Sequence, residues 1–170
     1  MNIVLTGFMA SGKTKISKQI SSISGYDLVD TDELIVKRMN MSINEIFEKM
    51  GESEFRKIEH DVICEVSDLD NTVISTGGGV PLNPDNMKKL RRKGVIINLA
   101  PSFDVILSRL LGARSTRPLL KDSNISQIKK RFYDRLPFYS DCDFQIAVSN
   151  AHSPNFYAKE ILVKLKLIQD

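Results

Sequence analysis

The run GFMASGKT at residues 7–14 constrains this chain more than any other stretch. It matches G-x-x-x-x-G-K-[ST] and sits between a short apolar run and a helix-period segment, the strand-loop-helix setting that the pattern requires. The spacing has a mechanical reason. Gly7 and Gly12 let backbone N–H groups wrap phosphates, with Ala10 and Ser11 between them. Lys13 reaches the β- and γ-phosphates, and the Thr14 hydroxyl is placed to ligate Mg²⁺. Lys15 follows, and Ala10 departs from the glycine more common at its position. A chance glycine-rich turn is the bland alternative, and the correct placing of every element weighs against it. The loop implies a nucleoside triphosphate and leaves the acceptor open.

Short β-branched runs at residues 2–6, 26–30, 72–75, 95–99 and 143–148 predict five strands alternating with helical segments. Ser42 with Glu45 predicts a capping box, and Asn83 with Pro84 predicts a helix start, with Gly94 closing that helix. Continuous apolar strands such as Val95, Ile96 and Ile97 suit a parallel sheet covered on both faces, with ligands bound beyond the carboxyl ends of the strands. The expectation is therefore an α/β fold. At 170 residues, with no repeat or linker-like tract, one domain over 1–170 is expected. Residues 112–124 carry Arg114, Arg117 and Pro118 without an apolar period, which predicts either a lid or a plain connection.

Composition excludes more than it identifies. Cys64 and Cys142 are too few and too far apart for a disulfide framework or a metal cluster, so a reducing, cytoplasmic setting is expected. The first residues lack a basic leader, and their apolar run ends at Gly7, too short for a membrane span. A net charge of +3, without tryptophan or a basic face interleaved with aromatics, gives no nucleic-acid footprint. The basic run at residues 88–93 falls at a predicted helix end, where cations complement the dipole.

Four further segments suggest an acceptor site. Asp30 and Asp32 end the second predicted strand, where alternation turns both carboxylates to one side; an Asp N-cap is the alternative use. Arg56 and Glu59 lie one helical turn apart, so the acid can orient the guanidinium. Gly77, Gly78 and Gly79 follow the third strand and leave amides open to a substrate. Arg135 precedes Pro137, a predicted helix break. His60 and His152 enter no catalytic scheme and are expected to be solvated or hydrogen-bonded.

In content, order and spacing, GFMASGKT, the DTD triplet at 30–32, GESEFRKIE at 51–59, STGGG at 75–79, RPLL at 117–120 and RLPFY at 135–139 resemble the shikimate kinase family over nearly the whole chain. The resemblance implies a P-loop fold like that of nucleoside monophosphate kinases: three layers around a five-stranded parallel sheet ordered 2-3-1-4-5, with a mobile lid at about 112–124. It implies an ATP-dependent phosphotransferase with an alcohol acceptor, a monomer that phosphorylates shikimate with Mg²⁺. A shikimate-binding helical segment would span about 32–62. Asp32 would bind and activate the acceptor hydroxyl, Asp30 would hold Mg²⁺ through water, and Arg56 and Arg135 would clamp the carboxylate beside the amides of Gly78 and Gly79. Arg117 would close on the phosphoryl group. Either Arg109 or Arg114 would stack on adenine, near a loop at 149–154. The usual aspartate of the third strand is absent, with Ser75 and Thr76 in its place, so Asp30 would take the metal task. A gluconate kinase on the same fold, or a nucleotide-binding protein that has lost catalysis, are the competing possibilities.

Overall fold

The computed structural model describes residues 1–112 and 122–167. Five strands, β1 (Asn2–Thr6), β2 (Asp27–Asp30), β3 (Thr72–Ser75), β4 (Gly94–Leu99) and β5 (Phe144–Ile146), form one parallel sheet in the order β2-β3-β1-β4-β5. Fold class and strand order are thus as expected. The strand bounds differ by one to two residues at β2, β4 and β5.

Strand alternation divides the apolar residues between two faces. Ile3, Leu5, Val73, Ile97 and Leu99 pack with Ile16 and Ile20 of α1 (Lys13–Ser24) and with Tyr157 and Ile161 of α7 (Pro154–Lys164). Val4, Ile74 and Ile96 pack on the other face with Ile35 of α2 (Thr31–Met39), Val62 of α3 (Ile43–Val66) and Leu90 of α4 (Pro84–Arg91). These side chains are almost wholly removed from water. At about 25 cal/mol per Å² of apolar surface, both faces drive the sheet inward. A third cluster, Phe8, Phe103, Ile106, Leu110, Phe132 and Tyr139, joins the loop after β1 to α5 (Phe103–Gly112) and α6 (Asp122–Tyr139).

Local signals explain most element ends. Ser42 and Glu45 form the reciprocal capping box, and the Asn83 side chain accepts from the Asp85 N–H with Pro84 in the first turn. Gly94 does not close α4. That helix ends at Arg91, and Gly94 opens β4, where a Cβ would lie 2.8 Å from Leu90 O and 2.9 Å from Val4 Cγ2. Pro137 does not break α6 either. It sits in the last turn, and the helix runs on to Tyr139. Within α3, Gly51 adopts φ 82 and ψ 168, a region open to glycine, so the helix kinks there and redirects the segment bearing Arg56. The basic run at 88–93 pairs Arg91 with Asp141, Arg92 with Asp68 and Lys93 with Asp70, so ion pairs account for its placement along with the dipole. His60 Nδ1 lies 2.6 Å from Asn86 Oδ1. Among the described residues, no helix is long and apolar enough to cross a membrane.

Candidate active site

A cleft of about 1000 Å³ opens beyond the carboxyl ends of β1, β2 and β3. Its floor is the loop at 7–14. Gly12 has φ 105, a left-handed conformation that turns the chain into α1, whose first turn carries no side-chain cap and no acid. The free N–H groups and the positive end of the helix dipole therefore face the loop. The Lys13 ammonium folds back over it, donating to Gly7 O (2.7 Å) and Phe8 O (3.0 Å), with Ser11 Oγ at 3.4 Å. Burial lowers the Lys13 pKa to about 8, although Asp32 and Asp30 pull it the other way.

Both aspartates line the cleft, but strand alternation is not what puts them there. β2 ends at Asp30 and α2 starts at Thr31, so strand alternation does not reach Asp32. Asp30 is the cap of α2: its Oδ1 accepts from the N–H groups of Asp32 (3.0 Å) and Glu33 (3.3 Å). Its Oδ2 accepts from the Ser75 hydroxyl (2.9 Å) and from the Thr14 hydroxyl (3.3 Å). Ser75, standing where the third-strand aspartate is missing, thus fixes Asp30 beside Thr14. Asp32 is left free to face the cleft, and burial, reinforced by Asp30, raises its pKa against the opposing charges of Lys13 and Arg56.

The acceptor end gathers residues from three segments. Arg56 Nη1 donates to Glu59 Oε2 at 2.7 Å, and Nη2 lies 3.4 Å from Glu52 Oε1. Glu59 is 2% exposed, and burial raises its pKa even though Arg56 beside it works in the other direction. An acid so buried can serve chiefly to hold its partner. Phe47 and Phe55 stack at 4.5 Å and form an apolar wall, with the Arg56 guanidinium 5.2 Å from the Phe55 ring. The glycine loop packs against these groups so closely that a Cβ on Gly77 would lie 2.5 Å from Asp32 Oδ1. One on Gly79 would lie 2.6 Å from Arg56 Cζ. Arg135 reaches the cleft from α6, its Nη1 3.8 Å from where a Gly78 Cβ would be.

The sequence comparison places this site in a family. The shikimate kinase family model matches residues 9–166. The chain belongs to the shikimate kinase family. A shikimate kinase of Caldicellulosiruptor bescii is 48% identical over 162 residues, covering 95% of this chain and 93% of that one. The crystal structure of the Bacteroides thetaiotaomicron shikimate kinase superposes with a TM-score of 0.89 at 30% identity, covering 98% of both chains. The Acinetobacter baumannii shikimate kinase in complex with shikimate superposes with a TM-score of 0.86 at 28% identity, over 99% of this chain and 95% of that one. Shikimate kinases are phosphotransferases with ATP as co-substrate, and the cleft carries the phosphate loop that such a task requires.

Of the residues singled out in the sequence, Ala10, Ser11, Gly12, Lys13, Thr14, Lys15, Asp30, Asp32, Arg56, Gly77, Gly78, Gly79 and Arg135 all line this one cleft. Gly7 enters through its carbonyl, which accepts from Lys13. Arg114, Arg117 and most of the 112–124 segment lie outside the described residues. Arg109 is placed: it donates to Asn150 Oδ1 (2.9 Å), Ala10 O (2.9 Å) and Ser149 O (3.1 Å), joining the phosphate loop to the 149–154 segment. His152 also lines the cleft, stacked on Phe156 with ring centroids 4.1 Å apart. Thr31, Ser75 and Tyr139 hold the site together and carried no sequence signal of that role.

Proposed function

We propose that this cleft transfers the γ-phosphoryl group of ATP to the 3-hydroxyl of shikimate, giving shikimate 3-phosphate and ADP for aromatic amino-acid biosynthesis in the cytoplasm. The observation that carries the proposal is the meeting of a phosphate loop with a half-buried carboxylate, Asp32, in one cleft with Arg56 and Arg135. Two guanidiniums suit a planar carboxylate because each forms paired, charge-assisted hydrogen bonds with it. A gluconate kinase has no evident need for this pair.

In this assignment the ATP phosphates lie along the amides of 7–14, and Lys13 leaves its carbonyl partners to meet the β- and γ-oxygens. Arg109 lies against adenine, chosen over Arg114 because it already bridges the phosphate loop and the 149–154 segment. Thr14 Oγ1 and Asp30 Oδ2, hard oxygens 3.3 Å apart beside the loop, fit Mg²⁺, which commonly takes one or two protein ligands and fills its octahedron with phosphate and water. Thr14 would ligate directly and Asp30 through water; when bound, the ion neutralises charge on the β- and γ-phosphates. Arg56, kept in place by Glu59, and Arg135 hold the shikimate carboxylate, with the Gly78 and Gly79 amides completing the cradle. That fixes the 3-hydroxyl against Asp32. Its raised pKa makes Asp32 a better proton acceptor than an ordinary aspartate. As the hydroxyl oxygen bonds to the γ-phosphorus and the bond to the ADP oxygen breaks, the hydroxyl proton passes to Asp32. Arg117, on a lid at about 112–124, would cover the transferring group. The chain would act as one kinase domain over 1–170, a monomer, with the acceptor-binding helical segment at about 32–62.

A coupled ADP-release assay with shikimate and gluconate side by side tests the proposal. Turnover is expected with shikimate alone, and Asp32→Asn is expected to lower transfer by about two to four powers of ten while shikimate still binds. Turnover on gluconate alone, or a wild-type rate for Asp32→Asn, would overturn it. Shikimate-independent silence would leave a nucleotide-binding protein.

A further inference from the structure

Buried amides normally have partners. In the glycine loop Gly77 N–H donates to Thr31 Oγ1 at 3.0 Å, but the N–H groups of Gly78 and Gly79 donate to no acceptor among the described residues, although Gly79 is buried. They are held ready, and something must aim them. Tyr139 Oη donates to Gly78 O at 2.7 Å. That carbonyl and the Gly79 N–H are opposite ends of one planar trans peptide, so fixing the first fixes the direction of the second.

Tyr139 is well suited to be the fixed point. It is 3% exposed, packed in the cluster with Phe8 and Phe132, and burial raises its pKa, so the hydroxyl keeps its proton. It also follows Arg135 by four residues on α6, which puts the two on one helix face. The positive charge of Arg135 is near enough to the phenol to oppose the effect of burial on it. One rigid turn of helix therefore sets both the guanidinium and the neighbouring amide.

We propose that Tyr139 is a positioning residue for the acceptor's carboxylate: by pinning the Gly78–Gly79 peptide it aligns the Gly79 N–H with the Arg135 guanidinium on the same anion. This rests on the assignment of Arg56, Arg135 and the glycine amides to that carboxylate. The consequence is selective. Tyr139 acts on acceptor binding and leaves the nucleotide end alone.

The test uses Tyr139→Phe, which keeps the buried ring and removes the donor, with Tyr133→Phe as control, since Tyr133 lies exposed on the same helix. Calorimetric Kd and steady-state KM are measured for shikimate and for MgATP, with melting temperature alongside. Tyr139→Phe is expected to raise Kd and KM for shikimate about 3- to 10-fold, the loss of one well-aimed hydrogen bond, with the MgATP constants unchanged. An analogue with hydrogen in place of the carboxylate should show the same kcat/KM in both proteins. A merely structural tyrosine would instead lower kcat/KM for shikimate and analogue alike, or lower only the melting temperature, and either result overturns the proposal. So does an unchanged shikimate KM. Absence of wild-type turnover on shikimate would be a different failure, that of the substrate assignment, and it would remove the basis of this proposal as well.

Discussion

Gly79→Ala should disable the acceptor site without unfolding the protein. A Cβ at this position would stand 2.6 Å from Arg56 Cζ and Nη2 and closer still to Nη1, whereas non-bonded heavy atoms prefer roughly 3.5 Å or more. The obstacle is the far end of a side chain, so the guanidinium gives way and the backbone stays. Moving it by about an ångström spoils its 2.7 Å bond to Glu59 and its aim at the substrate carboxylate. A hydrogen bond to a charged group is worth about 1.5 to 3 kcal/mol, so shikimate affinity should fall about 10- to 150-fold. MgATP affinity should hold. Gly78→Ala is the comparison, because its Cβ would meet nothing nearer than 3.7 Å and leaves Arg56 where it is. Calorimetric titration of both variants with shikimate and MgATP reads the result. Normal shikimate binding by Gly79→Ala would refute the steric reasoning, and an equal loss in Gly78→Ala would show that the effect runs through the loop backbone and not through Arg56.

With Lys13 lowered to about 8, the folded protein binds fewer protons than the unfolded chain between that value and 10.5, so this group's contribution to stability rises with pH across that window. Phosphate binding needs the ammonium and should run the other way: kcat/KM for MgATP falls above about pH 8, with proton uptake on binding seen as buffer-dependent heat, and a flat profile to pH 10 would contradict it. Ala10 holds φ 58, a left-handed conformation costing about 1–2 kcal/mol for a residue with a Cβ. Ala10→Gly should therefore stabilise the fold by about 0.5 to 1 kcal/mol after the extra unfolded-state entropy of glycine is offset, a gain that chemical denaturation would detect.

The parts of this molecule legible in the sequence are those whose cause is local. The phosphate loop is contiguous, the capping box at Ser42 and Glu45 spans one turn, and the continuous apolar strands carry their own signature. Ion-pair partners of the 88–93 run come from loops around Asp68 and Asp141, which no local pattern connects to it. Asp30 and Asp32 do share the cleft, but alternation is not the cause: β2 stops at Asp30, two residues short of Asp32, and the helix start with its capping geometry sets both side chains. The bridge that Arg109 makes from Ala10 to Ser149 has no local signature for the same reason: only the fold brings those two carbonyls to one guanidinium. Arg56 and Arg135 became a pair through family resemblance, since 79 positions of chain separate them.

The glycine loop shows what such non-local dependence does to a site. In the sequence, three glycines suggest amides kept open for a substrate. In the fold, the space beside Gly77 and Gly79 is filled by Asp32 and Arg56, the groups assigned to that substrate. Each helix that brings a charge to the cleft also brings a neighbour that ties down the loop: Thr31 precedes Asp32 and accepts from Gly77 N–H, and Tyr139 lies one turn beyond Arg135 and donates to Gly78 O. Arg56 touches Gly79 and is itself held by buried Glu59. Loop and charges are therefore registered against each other in pairs, so a shift of one helix moves an amide and its companion charge together. The distances within this pocket are thus set by contacts inside each pair, so a variant that breaks one pair should disturb its own amide and charge before the others.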